Sequence, residues 1–112
     1  MKSFIGKETI LTHCPDVLFD ESRFSSGIPA KLYYPRTHED VRAIAREASS
    51  TRTPLTVIGA QTGIAGAGVP IDDCIAVCFS EMTVIERLDF NEPGAPVLYC
   101  QPGVTVEAIS RF

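Results

Sequence analysis

An apolar run, Pro54-Leu55-Thr56-Val57-Ile58, passes directly into a stretch with glycine at positions 59, 63, 66 and 68. A second apolar run, Cys74-Ile75-Ala76-Val77-Cys78-Phe79, begins shortly afterwards. Both runs are β-branched or apolar and short, which is the pattern of buried strands. Glycine takes backbone angles that other residues avoid and lets the main chain approach a neighbour closely. The constraint is therefore strand, glycine-rich loop, strand, and the rest of the chain has to be built around it.

Upstream, Ala30-Lys31-Leu32-Tyr33-Tyr34-Pro35 is aromatic-rich and stops at proline, and reads as a short edge strand. Thr37 is placed to cap a helix over about 38–48, with Glu39 and Asp40 in the first turn, where the helix dipole favours acids. Val41, Ile44, Ala45 and Ala48 recur on one face of that helix. Downstream, 82–90 and 95–101 read as a fourth and fifth strand joined by an Asn91-Glu92-Pro93-Gly94 turn. Thr105 then caps a last helix, with Val106 and Ile109 on one side. The fold class expected is α+β, a small sheet of about four to five strands with flanking helices. Residues 1–28, irregular in pattern and turn-rich at Asp20-Glu21-Ser22 and Ser25-Ser26-Gly27, are expected as an N-terminal arm packed on a domain over 29–112.

With 112 residues there is room for one small domain. A net charge of −4 and scattered Lys and Arg give no basic stripe, which argues against nucleic acid. No apolar run reaches the ~20 residues that span a bilayer. The N-terminus lacks the apolar core of a secretory signal, so the expected compartment is the cytoplasm. Cys14, Cys74, Cys78 and Cys100 form no C-x-x-C pair and read as small hydrophobes; no metal site is expected. The last helix begins only a few residues before Phe112, and a helix that short is marginal alone, so the chain reads as a fragment.

The loop carries the strongest chemical signal. Successive N–H groups in a glycine-rich turn form an anion-binding nest. Thr62 adds a hydroxyl and Gln61 an amide, and pyrophosphate is the natural guest. A phosphate-binding P-loop is excluded, because no lysine follows Lys31. The dinucleotide fingerprint is excluded as well, because the spacing differs and the loop leads to Val69-Pro70 and a strand instead of a helix. A flexible turn between two strands fits the same spacing.

The order of segments carries more than any one of them. Pro35-Arg36-Thr37-His38-Glu39-Asp40-Val41 comes first, then Thr56 to Gly66, Val69-Pro70, Phe79 to Ile85, and Gln101-Pro102-Gly103-Val104-Thr105. Over Gly27 to Phe112 this order resembles the FAD-binding domain of the vanillyl-alcohol oxidase and p-cresol methylhydroxylase superfamily, nearest to the glycolate oxidase flavoprotein subunit and D-lactate dehydrogenase branch. The resemblance implies that the segment is the first of two FAD-binding subdomains, with a substrate domain elsewhere. It implies that Gly59, Ala60, Gln61, Thr62, Gly63 and Gly66 wrap the FAD pyrophosphate and that Pro102-Gly103 lies against the cofactor. Ser80 and Met82 match the family's segment beside the loop. The reaction implied is oxidation of a 2-hydroxy acid, of glycolate or lactate type, by hydride transfer to flavin.

The chain departs from the pattern at Ile58, where the family carries Arg or Lys, and at Ala60 or Gln61, where it carries glycine. Thr62 stands where some branches bear a histidine bonded to the flavin, which implies non-covalent FAD. The catalytic residues implied by the family match nothing up to Phe112. The implied partners are the remainder of such an enzyme and its small-molecule substrate, with self-association of the segment expected through its uncovered face. An enolpyruvyl-sugar reductase of the same superfamily and a non-catalytic binding or assembly module are the alternative readings. His38 reads as solvated helix surface and His13 has no neighbour that completes a dyad. Tyr33 and Tyr34 read as strand residues, one in and one out, and Asp72-Asp73 as a turn.

Overall fold

A computed structural model describes residues 1–23, 27–90 and 93–112. The turns expected at Ser25-Ser26 and Asn91-Glu92 lie outside the described residues. Strand β1 (Lys2–Ile5), helix α1 (Lys7–His13) and a 3₁₀ turn (Pro15–Leu18) precede β2 (Lys31–Tyr34), α2 (His38–Thr51), β3 (Leu55–Ile58) and β4 (Ile75–Cys78). Strands β5 (Ile85–Asp89) and β6 (Val97–Cys100) and helix α3 (Val106–Arg111) complete the order.

Helix α2 starts where the sequence signals it. The Thr37 hydroxyl accepts the Asp40 amide at 3.1 Å, and the Asp40 carboxylate accepts the Thr37 amide in return at 3.3 Å. This reciprocal cap satisfies two amides that the first turn leaves open. The helix outruns its expected end at Ala48 and reaches Thr51. The Ser50 and Thr51 hydroxyls bond back to the Glu47 carbonyl at 3.1 and 2.7 Å, which lets residues that usually break helices stay inside one. Arg52, left-handed at φ 52°, ends it.

Four strands form one sheet in the order β1-β2-β4-β3. β1 is antiparallel to β2, while β4 is parallel to both β2 and β3. β2 is thus an inner strand and not the edge expected from Pro35, because Phe4 pairs opposite Leu32 and Lys2 opposite Tyr34. Four residues containing a lysine and a serine are too short to show a period, so only the partner reveals β1 as a strand.

Both faces of the sheet are covered at its centre, while Leu55 and Val57 of the edge strand β3 stay exposed. On one side, Ile10 of α1 and Val17 and Leu18 of the 3₁₀ turn pack with Leu32, Ile58, Ala76 and Cys78. On the other, Ile44 and Ala48 of α2 pack with Ile75 and Val77. Every residue of β4 is buried, as a parallel strand between two layers requires. Tyr33 and Tyr34 therefore do not divide into one in and one out. Both are half-buried, Tyr34 against the α1 side and Tyr33 against α2. The Tyr33 hydroxyl donates to Glu47 at 2.6 Å, and burial first, then Glu47, pushes its pKa up to about 12. Residues 1–23 accordingly supply both the edge strand β1 and the layer over one face of the sheet.

Strands β5 and β6 pair only with each other, as a separate two-stranded ribbon with an irregularity between Ile85 and Arg87. The radius of gyration, 15.7 Å, exceeds the about 13 Å of a compact chain of this length, and the longest extent is 50 Å. No helix among the described residues is long and apolar enough to cross a membrane.

Candidate functional site

The glycine-rich loop connects β3 to β4 and presents two sides. On the first, Gly59, Ala60 and Thr62 form one wall of a groove of about 560 Å³. Pro102, Gly103 and Val104 form the facing wall, with Ser80 and Thr83 between them. The volume lies within the range of small-molecule sites, roughly 300–1,000 Å³. No charged side chain lines it. Outside its chain neighbours, no atom lies within 4 Å of the position a Cβ would take at Gly59, so a ligand can reach the main chain there. Among the described residues, Thr62 and Thr83 have no side-chain hydrogen-bond partner, leaving two hydroxyls to offer a guest.

The facing wall is held by close backbone packing. The Gly103 amide donates to the Met82 carbonyl at 2.8 Å, and the Gln101 amide to the Val84 carbonyl at 2.9 Å. A Cβ at Gly103 would overlap the Phe79 carbonyl and lie 2.7 Å from that of Met82. Glycine is required at 103 by this approach. Met82 is buried and holds the wall, while Ser80 lines the groove itself. Just beyond Ser80, Glu81 receives Arg36 at 2.8 Å and Lys2 at 3.1 Å, tying the segment to the sheet. Arg36 first, then Lys2, holds the Glu81 carboxyl below its ordinary pKa.

On its second side the loop meets the N-terminal segment. Here Asp20 and Gly63 face a smaller groove of about 310 Å³, shared with Gly59, Ala60 and Thr62. One Asp20 oxygen accepts the Gly66 amide at 3.1 Å; the other accepts the amide of Ser22 at 2.8 Å and its hydroxyl. The Ser22 hydroxyl, then the Ser22 and Gly66 amides, hold the Asp20 carboxyl below its ordinary pKa against the opposing effect of burial. The Gln61 side chain donates to the carbonyls of Asp16 and, at 2.8 Å, Phe19.

The structure thus brings five sequence-predicted residues around the first groove: Gly59, Ala60, Thr62, Pro102 and Gly103. Gln61 and Gly66 are instead engaged by residues 16–20, on the side where Gly63 also lies. Thr83, Thr105 and Asp20 were not anticipated. Thr83 sits one residue past Met82, inside a segment already matched, so position alone pointed to it. Asp20 lies far from the loop in sequence and gave no local signal. The groove suits an anion with an apolar portion: open main chain, two hydroxyls, no competing carboxylate, and a Pro-Gly wall. It fits a dinucleotide pyrophosphate held by loop amides, and Thr105 and Val106, the cap and first residue of α3, also line it. Among the described residues no group of three or more His, Cys, Asp and Glu is placed to hold a metal ion.

Comparison with known proteins agrees with this geometry. Residues 29–112 match the family model described as "FAD binding domain". The chain is 31% identical over 93 residues to D-2-hydroxyglutarate dehydrogenase of Stutzerimonas stutzeri (strain A1501), covering 83% of this chain and 19% of that protein. It is 31% identical over 84 residues to an uncharacterized FAD-linked oxidoreductase of Mycobacterium tuberculosis (strain CDC 1551 / Oshkosh), covering 72% and 18%. The mitochondrial D-2-hydroxyglutarate dehydrogenase of Rattus norvegicus is 29% identical over 93 residues, covering 83% and 17%. The chain therefore spans less than a fifth of the length of these relatives.

Proposed function

The chain belongs to the FAD binding domain family, and on that premise we propose that it holds the pyrophosphate of FAD in an oxidoreductase acting on a 2-hydroxy acid. FAD is the cofactor of the domain. When bound, the flavin supplies a hydride acceptor. The residues of this chain bind and orient it: the amides around Gly59 and Ala60 face the pyrophosphate, Thr62 and Thr83 donate from the side, and Pro102-Gly103 closes the opposite wall. Thr62 is a weaker nucleophile than the histidine that some members carry at its position, which supports flavin held without a covalent bond.

The single observation that carries the reading is the groove between the glycine loop and Pro102-Gly103, which lacks any charged lining. The substrate class rests on the relatives, whose names point to D-2-hydroxyglutarate ahead of glycolate or D-lactate.

The test uses the natural polypeptide that carries this segment. Gly59→Val places a side chain in open space, so the fold is expected to survive while flavin is excluded. Gly66→Val is less clean, because Gly66 has φ 79° and valine is strained there whatever its ligand role. We expect unaltered circular dichroism and loss of most bound FAD in Gly59→Val. The wild-type flavin is expected to bleach anaerobically with D-2-hydroxyglutarate and to stay in solution after acid precipitation. Normal flavin content in Gly59→Val would refute the site, and a flavin reduced by none of the three acids would refute the substrate class.

A further inference from the structure

The loop between β3 and β4 has no regular structure over residues 59–74 apart from turns, yet its middle is fastened twice to one distant piece of chain. The Gly66 amide donates to an Asp20 carboxylate oxygen at 3.1 Å. The Gln61 side-chain amide donates to the backbone carbonyls of Asp16 and Phe19. The three partners, Asp16, Phe19 and Asp20, fall within five residues, and that short run is itself anchored, because Val17 and Leu18 are in the core beside Ile58. Asp20 is only 9% exposed, and its second oxygen is occupied by Ser22. Its position is thus fixed from both ends.

We propose that residues 16–20, through Asp20 and Gln61, clamp the glycine loop from behind and hold it in the shape that receives the cofactor pyrophosphate. Asp20 is a positioning residue in this role. It acts through the Gly66 amide and touches no cofactor. The inference rests on the reading that the opposite groove is the pyrophosphate site.

Two features favour a clamp over a carboxylate that competes with phosphate for the loop. Asp20 lines the smaller groove and not the larger one, which Pro102 and Gly103 line and which has no charged lining, although the two share Gly59, Ala60 and Thr62. Both its oxygens are also satisfied by donors of the protein, as expected of a structural anion and not of a lid to be displaced. A loop ordered before binding spends less of the binding energy on becoming ordered. Unfastened, each residue of the loop would have to be fixed when the ligand arrives.

The sign of one substitution separates the two roles. Asp20→Asn keeps the size but turns one oxygen into a donor, which then faces either the Gly66 or the Ser22 amide. The clamp predicts that the Kd for FAD of the flavin-stripped natural polypeptide rises, by about ten-fold for one lost charge-assisted bond. It also predicts faster amide exchange confined to residues 60–68, with α2 unchanged, which a general loss of stability would not give. Asp16→Asn removes an equal charge from the same run, where only the backbone carbonyl is used, and leaves Kd unchanged. Gln61→Leu cuts the other tie and raises Kd in the same direction; it decides the matter should Asp20→Asn fail to fold. Unchanged or tighter FAD binding in Asp20→Asn, or in Gln61→Leu if that is the variant that folds, overturns the clamp. A wild-type polypeptide that binds no FAD overturns instead the reading of the groove on which the clamp rests.

Discussion

The two β-structures of this chain are built to different standards. In the four-stranded sheet, β4 is buried on both faces, with α1 and the 3₁₀ turn on one side and α2 on the other. In the β5–β6 ribbon none of the residues is buried, and Leu88, Val97 and Tyr99 are 40%, 50% and 39% exposed. Helix α3 buries nothing either. Two strands alone are marginal in water, and a sheet covered on two sides is not. The lesson is that the two walls of the cofactor groove come from regions of unequal firmness. The glycine-loop wall grows out of the sheet, and the Pro102-Gly103 wall rests on the ribbon side, fixed mainly through Met82 and Val84.

Three substitutions probe this inequality, each read by thermal or denaturant unfolding of the natural polypeptide. Leu32→Ala, in the buried sheet, is expected to cost about 2–5 kcal/mol. A cost no larger than that of a surface change would end the comparison at once. Gly103→Ala is expected to cost about 1–3 kcal/mol, because its new methyl overlaps the Phe79 carbonyl and a packed wall has to move. Its amide exchange should quicken in 97–111 while 31–34 and 75–78 hold. Equal acceleration in both would show the two regions to be one cooperative unit. Leu88→Ala, on the ribbon, is expected to stay within about 0.5 kcal/mol. A larger loss would mean that the ribbon is covered in the natural polypeptide, which sharpens the comparison by locating the covering surface.

What the sequence made legible follows the range of its signals. Helix α2 was readable because its cap, its acidic first turn and its apolar face all lie within a few residues of one another. The runs at 54–58 and 74–79 became β3 and β4 at nearly their expected bounds; β4 is buried throughout, as an uninterrupted apolar run requires, while β3 is an edge strand with Leu55 and Val57 exposed. Gly59, Ala60, Thr62, Pro102 and Gly103 were readable together only through the order of segments, and they do line one groove. Other features depend on partners distant in the chain. β1 exists as a strand because β2 lies beside it, and that same pairing makes β2 an inner strand despite Pro35. Asp20 and Gln61 acquire their role from a contact spanning more than forty residues. The division of the strands into two sheets is likewise a matter of pairing, which local pattern does not encode.

The strand order β1-β2-β4-β3 has a consequence for how the molecule comes into being. As the chain leaves the ribosome, β1, β2, α2 and β3 emerge first, yet β2 and β3 have no edge in common. The strand that joins them is the last of the four and arrives only after the whole glycine-rich crossover has been made. Until Ile75–Cys78 slots into the gap, β3 has no partner and the inner edge of β2 is unpaired, a state open to misassociation. The cofactor loop is therefore also the tether whose closure completes the sheet, and its length and glycine content bear on folding before they bear on any ligand.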